Sequence, residues 1–371
     1  MAHYTPESID WLQHALTPGM GTSTFWHWVE TVKNSSVNID FPKPLSLRKH
    51  TIPPLISLSK VHHVIETMDK LNGRIIFFQD QAYPPLLRTL ADPPPILYCL
   101  GKTELLKSPS LAIVGGRNAC LSGQVFTKKI STNLSNTGLC ITSGLARGID
   151  QSAHYGALSG IGRSIAVLAG GVDVVYPLQN KDLYERMKNE GLLISEMPPH
   201  TAPTAQLFPK RNRIVSGLSA GVVVIEAALK SGSLITARCA LEQNREVMAV
   251  PGFPSDPRHH GTNHLIRQGA ALVESADDVL AHMGDVWNMD IRSIDLPAKH
   301  SPQRPLEGSV ANNEFTQQLL NYLGATPIDI DVLIRHSGFP PHMIIATLSE
   351  LELTGQVSRT PGGQVLKIAM D

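Results

Sequence analysis

The feature that most constrains the fold is a pair of glycine-rich turns between residues 111 and 150. The apolar runs 111–116 and 139–144 each end in such a turn, and a helical pattern follows. This order of elements points backbone NH groups and the positive end of a helix dipole at whatever lies above the strand. Tight packing alone explains one such turn. Two in succession, carrying Arg117 and Arg147, predict a site for a ligand with more than one phosphate.

Apolar runs alternate with helical patterns from residue 111 to about 283. Such runs without clean period-two alternation are typical of a parallel sheet with both faces covered. The predicted strands are 111–115, 139–142, 165–169, 192–195, 221–226, 246–250 and 271–273. We therefore predict an α/β fold over 71–283, an extended Rossmann-like doubly wound parallel sheet that binds ligands at the carboxyl ends of its strands. The segment 74–101 is predicted to extend this sheet.

Composition restricts the kinds of partner. The 371 residues have a formal net charge of zero, so nucleic acid would have to be attracted by a local basic patch. The four cysteines form no CxxC pair, and neither a secretory leader nor an apolar run of membrane-spanning length is present. We expect a reduced, cytoplasmic protein without a membrane partner.

Cofactor signatures are missing from the sequence. The first turn is not GxGxxG, and the second strand ends in Thr142 and Ser143 where NAD binding requires a carboxylate. No P-loop motif occurs, so ATP hydrolysis has no support. His260 and His264 have metal-pair spacing but no third ligand in register. We predict no cofactor and no metal.

The local basic patch is the run FPKRNR, residues 208–213. Lys210, Arg211 and Arg213 surround Asn212 where a helix is predicted to begin, and cations there oppose the helix dipole. Because arginine clamps phosphates and stacks on bases, we predict an anion site there, with Phe208 as the stacking platform. A solvated surface run is the alternative.

A second polar turn, residues 231–237, places Gly232, Ser233 and Thr236 at the next helix start. Its hydroxyl and NH groups are predicted to bind the same ligand. Ordinary helix capping by Ser233 is the competing explanation.

Three acidic residues fall near the predicted site. Glu196 and Glu226 end strands and could form an acid and base pair, but we favour a structural role in which they hold Arg211 or Arg213. Asp150 is assigned to helix capping.

The N-terminal region 1–70 is predicted to be a helical domain resembling a SAM or helix-hairpin-helix module. Its flanks lack cations before Lys33, so DNA binding there has little support. Trp11, Trp26 and Trp28 are predicted to be core or inter-domain contacts.

The C-terminal region is predicted to contain a flexible linker over 284–312 and a winged-helix-like domain over 313–371. Residues 340–355, which cover the third helix, contain no lysine or arginine. Because duplex reading requires cations on that helix, we favour a protein-contact or regulatory module.

Several motifs occur in a specific order: VGGRN, TSGLARGIDQSAH, FPKRNRIVSGLS and GSLITARCALEQNREVMAVPG. From about Tyr83 to Leu280 the chain resembles the DNA processing protein A family (DprA, also called Smf). The resemblance implies a non-enzymatic protein that binds single-stranded DNA, protects incoming strands in natural transformation and loads the RecA recombinase. It also implies a homodimer built through the later part of the Rossmann-like domain.

The resemblance carries DNA contacts onto Arg117, onto Ser143, Gly144, Arg147 and Gly148, and onto the run from Lys210 to Arg213. Gly116 stands where the family commonly has serine, which removes a hydroxyl and leaves the backbone NH. The predicted DNA-binding residues are Gly115, Gly116, Arg117, Ser143, Gly144, Arg147, Gly148, Phe208, Lys210, Arg211, Asn212, Arg213, Gly232 and Ser233.

Two other functions remain open at this point. Rossmann-like phosphoribohydrolases also bind nucleotide phosphates at glycine turns, but their PGGxGT turn is absent around 251–253 and 361–363. The second alternative is a scaffold that joins proteins through its two end modules and has lost its phosphate site.

Overall fold

The computed structural model describes residues 4–30, 53–287, 312–360 and 362–368. The N-terminal part contains helices α1 (Pro6–Leu16), α2 (Thr22–Trp28) and α3 (Leu58–Lys70). Its chain then enters the sheet through β1 (Arg74–Phe77), α4 (Pro85–Arg88) and β2 (Ile96–Gly101).

The central domain alternates strands with helices, as the pattern predicts. The first half contains β3 (Ser110–Gly115), α5 (Leu121–Asn136), β4 (Cys140–Ser143), α6 (Ile149–Ala157), β5 (Ser164–Val167), α7 (Lys181–Glu190) and β6 (Leu192–Ser195). The second contains α8 (Leu207–Gly217), β7 (Gly221–Ile225), α9 (Gly232–Glu242), β8 (Glu246–Ala249), α10 (His260–Arg267), β9 (Ala271–Leu272) and α11 (Ala276–Trp287).

One nine-stranded sheet, in the order β1-β2-β6-β5-β4-β3-β7-β8-β9, forms the centre of the molecule. From β6 to β9 all neighbours are parallel, and β2 adds to β6 antiparallel, which confirms that 74–101 extends the sheet. Strands β4 to β7 are buried along their whole length because helices cover both faces. The predicted doubly wound α/β fold is confirmed.

The winding reverses at β3, which lies between β4 and β7. The chain builds β4, β5 and β6 outward on one side and then crosses back through α8 to begin β7 on the other. Loops after β3, β4 and β7 therefore meet at one point of the carboxyl edge, where such sheets bind ligands.

The N-terminal helices pack directly on the sheet extension. Trp26 lies edge-on to Phe78 with ring centroids 4.7 Å apart, and its indole NH donates to the Pro93 carbonyl at 2.8 Å. Trp11, Trp26 and Trp28 are at most 4% exposed, which confirms that they are core residues. Helices and extension share one continuous hydrophobic cluster.

The C-terminal module consists of α12 (Asn312–Tyr322), β10 (Ile328–Asp329), α13 (Ile330–Ser337), α14 (Pro341–Leu353), β11 (Val357–Thr360) and β12 (Gln364–Lys367). Its three strands form a small antiparallel sheet in the order β10-β12-β11. These helices and strands form the predicted winged-helix module.

The boundary of the predicted linker needs a correction. Residues 284–287 belong to α11 and are therefore helical, and 288–311 lie outside the described residues. No helix in the described part of the chain is both long and apolar enough to cross a membrane.

Candidate nucleic-acid interface

An open cleft of about 940 Å³ lies at the carboxyl edge of the sheet, and a recess of about 420 Å³ adjoins it. Arg117, Gly144, Phe208 and Arg211 line both, so three distant segments meet there. The predicted residues that line the cleft or the recess are Gly115, Gly116, Arg117, Gly144, Arg147, Phe208, Arg211, Asn212, Gly232 and Ser233.

The two glycine turns lie against each other at the floor of the cleft. The Ile149 NH donates to the Gly116 carbonyl at 3.2 Å. Gly148 has φ +76°, and a Cβ atom there would lie 2.4 Å from the same carbonyl oxygen. A glycine is therefore required where the second turn crosses the first.

The NH groups of the second turn do not face the cleft as predicted. The NH groups of Gly144 and Ala146 donate to the Asp150 carboxylate at 3.2 and 3.4 Å, and that of Leu145 donates to His154 Nε2 at 3.3 Å. The prediction of open NH groups is wrong for these three residues, because buried side chains of α6 accept them. Asp150 binds the preceding turn, so its assignment as a helix cap is also wrong.

The start of α5 is occupied as well. The Glu226 carboxylate accepts the Cys120 NH at 2.8 Å and the Cys120 thiol, and it is 2% exposed. A carboxylate stabilises the positive end of a helix dipole and competes with phosphate there. Glu226 therefore has a structural role, but it holds the start of α5 and not an arginine as predicted.

Arg211 lies buried beneath the cleft. It is 6% exposed, its Nη1 donates to the Val167 carbonyl at 3.0 Å, and its Nε has no hydrogen-bond partner among the described residues. A Cβ atom on Gly144 would lie 1.5 Å from Nη1, so only glycine leaves room for the guanidinium. Burial raises the pKa of Asp150, and the charge of Arg211 opposes that rise.

Arg213 points to the sheet extension. It pairs with Glu196 at 2.5 Å and with Asp92 at 3.5 Å, and its Nη1 donates to the Asp92 carbonyl. Burial raises the pKa of Glu196, and Arg213 opposes the rise. The structural role predicted for Glu196 is confirmed. That Arg213 contacts DNA stays a prediction, which its engaged guanidinium does not support.

Two exposed cations and an aromatic pair line the recess. Arg117 and Arg147 are exposed, and the Arg117 Cζ atom lies 5.3 Å from the centre of the half-buried Phe208 ring. Tyr176 lies against Phe208 with ring centroids 5.6 Å apart. Lys210 is exposed on the same helix as Phe208 but lines neither cavity. This arrangement offers charge for phosphates beside a flat surface for bases.

The start of α9 closes the far side of the cleft. Ser231, and not Ser233, caps the helix: its hydroxyl accepts the Ser233 NH at 3.3 Å and bonds the Ser233 hydroxyl at 2.7 Å. Asn212 donates to the Gly232 carbonyl at 3.2 Å and joins α8 to α9. Gly232 and Ser233 line the cleft, and their contacts with DNA stay a prediction.

Sequence reasoning missed two cations that line the cleft, Lys230 and Arg258. Lys230 directly precedes the polar turn, so its position could have been noticed. Arg258 gives no sequence signal, because its place depends on Asp256 and the C-terminal module. Ser143 is buried and donates to the Ile113 carbonyl at 2.6 Å, away from both cavities.

Known proteins resemble this chain over most of its length. Residues 74–284 match the family model described as DNA recombination-mediator protein A, and residues 301–363 match that of the DprA winged helix domain. Protein Smf of Escherichia coli (strain K12) is 40% identical over 301 residues, which is 80% of this chain and 78% of that protein.

Solved structures resemble the fold as well. DNA processing protein A from Streptococcus pneumoniae has a TM-score of 0.63 and 34% identity, covering 76% of this chain and 98% of that one. DNA processing protein A from Helicobacter pylori, whose structure gives insight into its single-stranded DNA binding mode, has a TM-score of 0.53 and 29% identity, covering 58% of this chain and 96% of that one. The chain therefore belongs to the DNA recombination-mediator protein A family, whose members are named DprA or Smf.

Proposed function

We propose that this protein binds single-stranded DNA in the cleft between the two glycine turns and α9. The observation that carries the proposal is that Arg117, Arg147 and Phe208 line the same recess beside the cleft, with Arg117 over the Phe208 ring. Arginine clamps phosphate with two parallel hydrogen bonds, and aromatic rings stack on any base. Local charge and stacking let a protein of zero net charge bind a polyanion.

Family membership supports the wider role that we propose. The protein protects single strands that enter the cytoplasm in natural transformation and loads RecA on them. It acts as a homodimer joined through the later part of the central domain. The names of its relatives, DNA processing proteins, fit this role.

We also propose that the cleft carries no catalysis. Its two buried carboxylates both accept backbone NH groups, Asp150 from the second turn and Glu226 from the start of α5. Asp150 holds a backbone turn, and the thiol that Glu226 accepts, that of Cys120, is buried with its pKa raised to about 12, so it is not an activated nucleophile. Turnover of nucleoside monophosphates would contradict this assignment.

Fluorescence anisotropy with labelled oligo-dT tests the binding site. We expect the double variant Arg117→Ala, Arg147→Ala to bind at least tenfold more weakly. The slope of log affinity against log salt should fall by about 1.4, since each phosphate contact on a single strand contributes about 0.7.

The matched control removes two exposed cations outside the cleft, Lys107→Ala with Lys129→Ala. It should keep the affinity and slope of the wild type. Equal losses of affinity in both double variants would show that only net charge matters, and they would rule out the cleft as the binding site. A pure scaffold would bind no oligo-dT in any form.

A further inference from the structure

A buried polar chain lies directly behind the second glycine turn. Leu145 is fully buried and has φ +56°, a left-handed conformation that costs roughly 1 kcal/mol or more in a residue with a Cβ atom. Side chains bind both the NH and the carbonyl group of Leu145. Its NH donates to His154 Nε2 at 3.3 Å, and its carbonyl accepts from Asn180 Nδ2 at 2.9 Å.

The direction of the hydrogen bonds fixes the protonation of His154. The Ser164 hydroxyl donates its only proton to the Ile141 carbonyl at 2.6 Å. It must therefore accept from His154 Nδ1, 2.8 Å away, so Nδ1 carries the proton. Nε2 is then the acceptor that the Leu145 NH requires. Burial and the charge of Arg211 lower the pKa of His154 to about 3, which agrees with a neutral ring.

We propose that His154, as its Nδ1–H tautomer, and Asn180 are positioning residues that hold Leu145 in the left-handed conformation and thereby set the DNA-binding turn. Arg147 follows Leu145 by two residues, and Gly144, against which Arg211 lies, directly precedes it. A change of φ and ψ at Leu145 would redirect Arg147 and shift Gly144, against which the Arg211 guanidinium lies. The inference rests on the proposed function, because it explains how the binding surface is preorganised.

Three variants separate positioning from general stability. His154→Phe keeps the volume and removes both hydrogen bonds, whereas His154→Gln restores an acceptor near the position of Nε2. Asn180→Leu removes the hydrogen bond to the Leu145 carbonyl. It tests the same turn independently of His154, so the inference can still be tested if His154→Phe folds poorly. Ser135→Ala is the matched control, since Ser135 is also fully buried and bonds a backbone carbonyl, that of Ala157, away from the turn.

Three measurements are made on the full chain: the affinity for oligo-dT, amide hydrogen exchange over 144–147, and the ¹⁵N spectrum of the imidazoles. We expect His154→Phe and Asn180→Leu to weaken binding at least tenfold and to speed exchange at least tenfold. His154→Gln should recover most of both, and Ser135→Ala should change neither. The imidazole signal that is present in the wild type and absent from His154→Gln belongs to His154. In the wild type this signal should show protonation at Nδ1.

Wild-type affinity and exchange in His154→Phe and Asn180→Leu, or an Nε2–H tautomer in the wild type, would overturn the inference. If the wild type binds no oligo-dT, the proposed function fails, and the exchange and tautomer results still decide whether the turn is positioned in this way.

Discussion

Arg211 carries a positive charge where solvent hardly reaches, and Gly144 is the residue that makes room for it. Its neighbour Asp150 supplies the opposite charge, which reduces the cost of burying the guanidinium. The Arg211 Nε is buried and has no hydrogen-bond partner among the described residues. The position of the guanidinium therefore depends on the absence of a side chain at Gly144.

Gly144→Ala tests that dependence. The added methyl group would overlap the Arg211 Nη1, so we expect a loss of about 2 kcal/mol of stability, typical of overpacking. Oligo-dT affinity should fall with it. Urea denaturation and anisotropy measure the two effects. Gly232→Ala is the control, because no atom lies within 4 Å of its added Cβ; equal stability of the two variants would contradict the explanation.

The pKa of His154 predicts how stability depends on pH. The folded-state pKa of about 3 lies below the ordinary value of 6.5, so between these values the unfolded chain binds a proton that the folded chain does not. This contribution is fully present above pH 6.5 and is lost as pH falls toward 3.

Comparison with His154→Gln isolates this contribution, because the raised pKa of Asp150 acts in the opposite direction in both proteins. From pH 6.5 to 4.5 the wild type should lose about 2 kcal/mol relative to the variant, since the slope approaches 1.36 kcal/mol per pH unit only well below pH 6.5. Urea denaturation at several pH values measures this difference. A constant difference across that range would argue against a neutral buried imidazole.

At the scale of elements, helix geometry separates residues that the sequence groups together. Lys210, Arg211 and Arg213 form one basic run, but about 100° per residue on α8 turns them in different directions. Lys210 is exposed, Arg211 is buried, and Arg213 reaches Glu196 of a neighbouring strand end. The patch could be predicted from the sequence, but the division of roles within it could not.

Local sequence patterns predicted the strands and turns, but they did not predict which groups accept hydrogen bonds from the NH groups of the turns. Apolar runs located the ends of each parallel strand in the described part of the chain to within two residues. Glu226, which occupies the start of α5, lies 106 residues from Cys120. Such a contact depends on which strands become neighbours, so no local pattern could predict it.

Arg258 joins the central domain to the winged helix. It donates to Asp256 at 2.8 Å and to the Leu323 carbonyl at 2.8 Å, just past the end of α12, where carbonyls lack helical partners. Leu121 of α5 packs into the same hydrophobic cluster as Phe315. The winged helix therefore docks beside the cleft that Arg258 lines.

Arg258→Ala should loosen this docking. We expect at least tenfold faster amide exchange over 319–324, because the carbonyls lose a charged donor and Asp256 loses its partner. Hydrogen exchange with mass spectrometry measures it. Arg335→Ala, an exposed cation on α13, should leave exchange unchanged. Unaltered exchange in Arg258→Ala would mean that apolar contacts alone hold the module.

For the whole molecule, charge distribution predicts a preference for single strands. Helix α14 contains no lysine or arginine, and Arg359 beside it bonds Ser349 and Glu352. Since duplex readers place cations on this helix, competition at moderate salt should require at least tenfold more duplex than oligo-dT of equal length. The competitor duplex is blunt-ended, so that no single-stranded end contributes to binding. Equal competition by duplex and oligo-dT would contradict this expectation.

The reversal of strand order at β3 also divides the binding site between two halves of the chain. A cut within the exposed residues 204–206 would leave Arg117 and Arg147 on one fragment and Lys230 and Ser231 on the other. The fragments would meet along β3 and β7, which are paired through four residues each. Oligonucleotide binding would then report fragment complementation, so this fold is suited to a split sensor in which the ligand itself records reassembly.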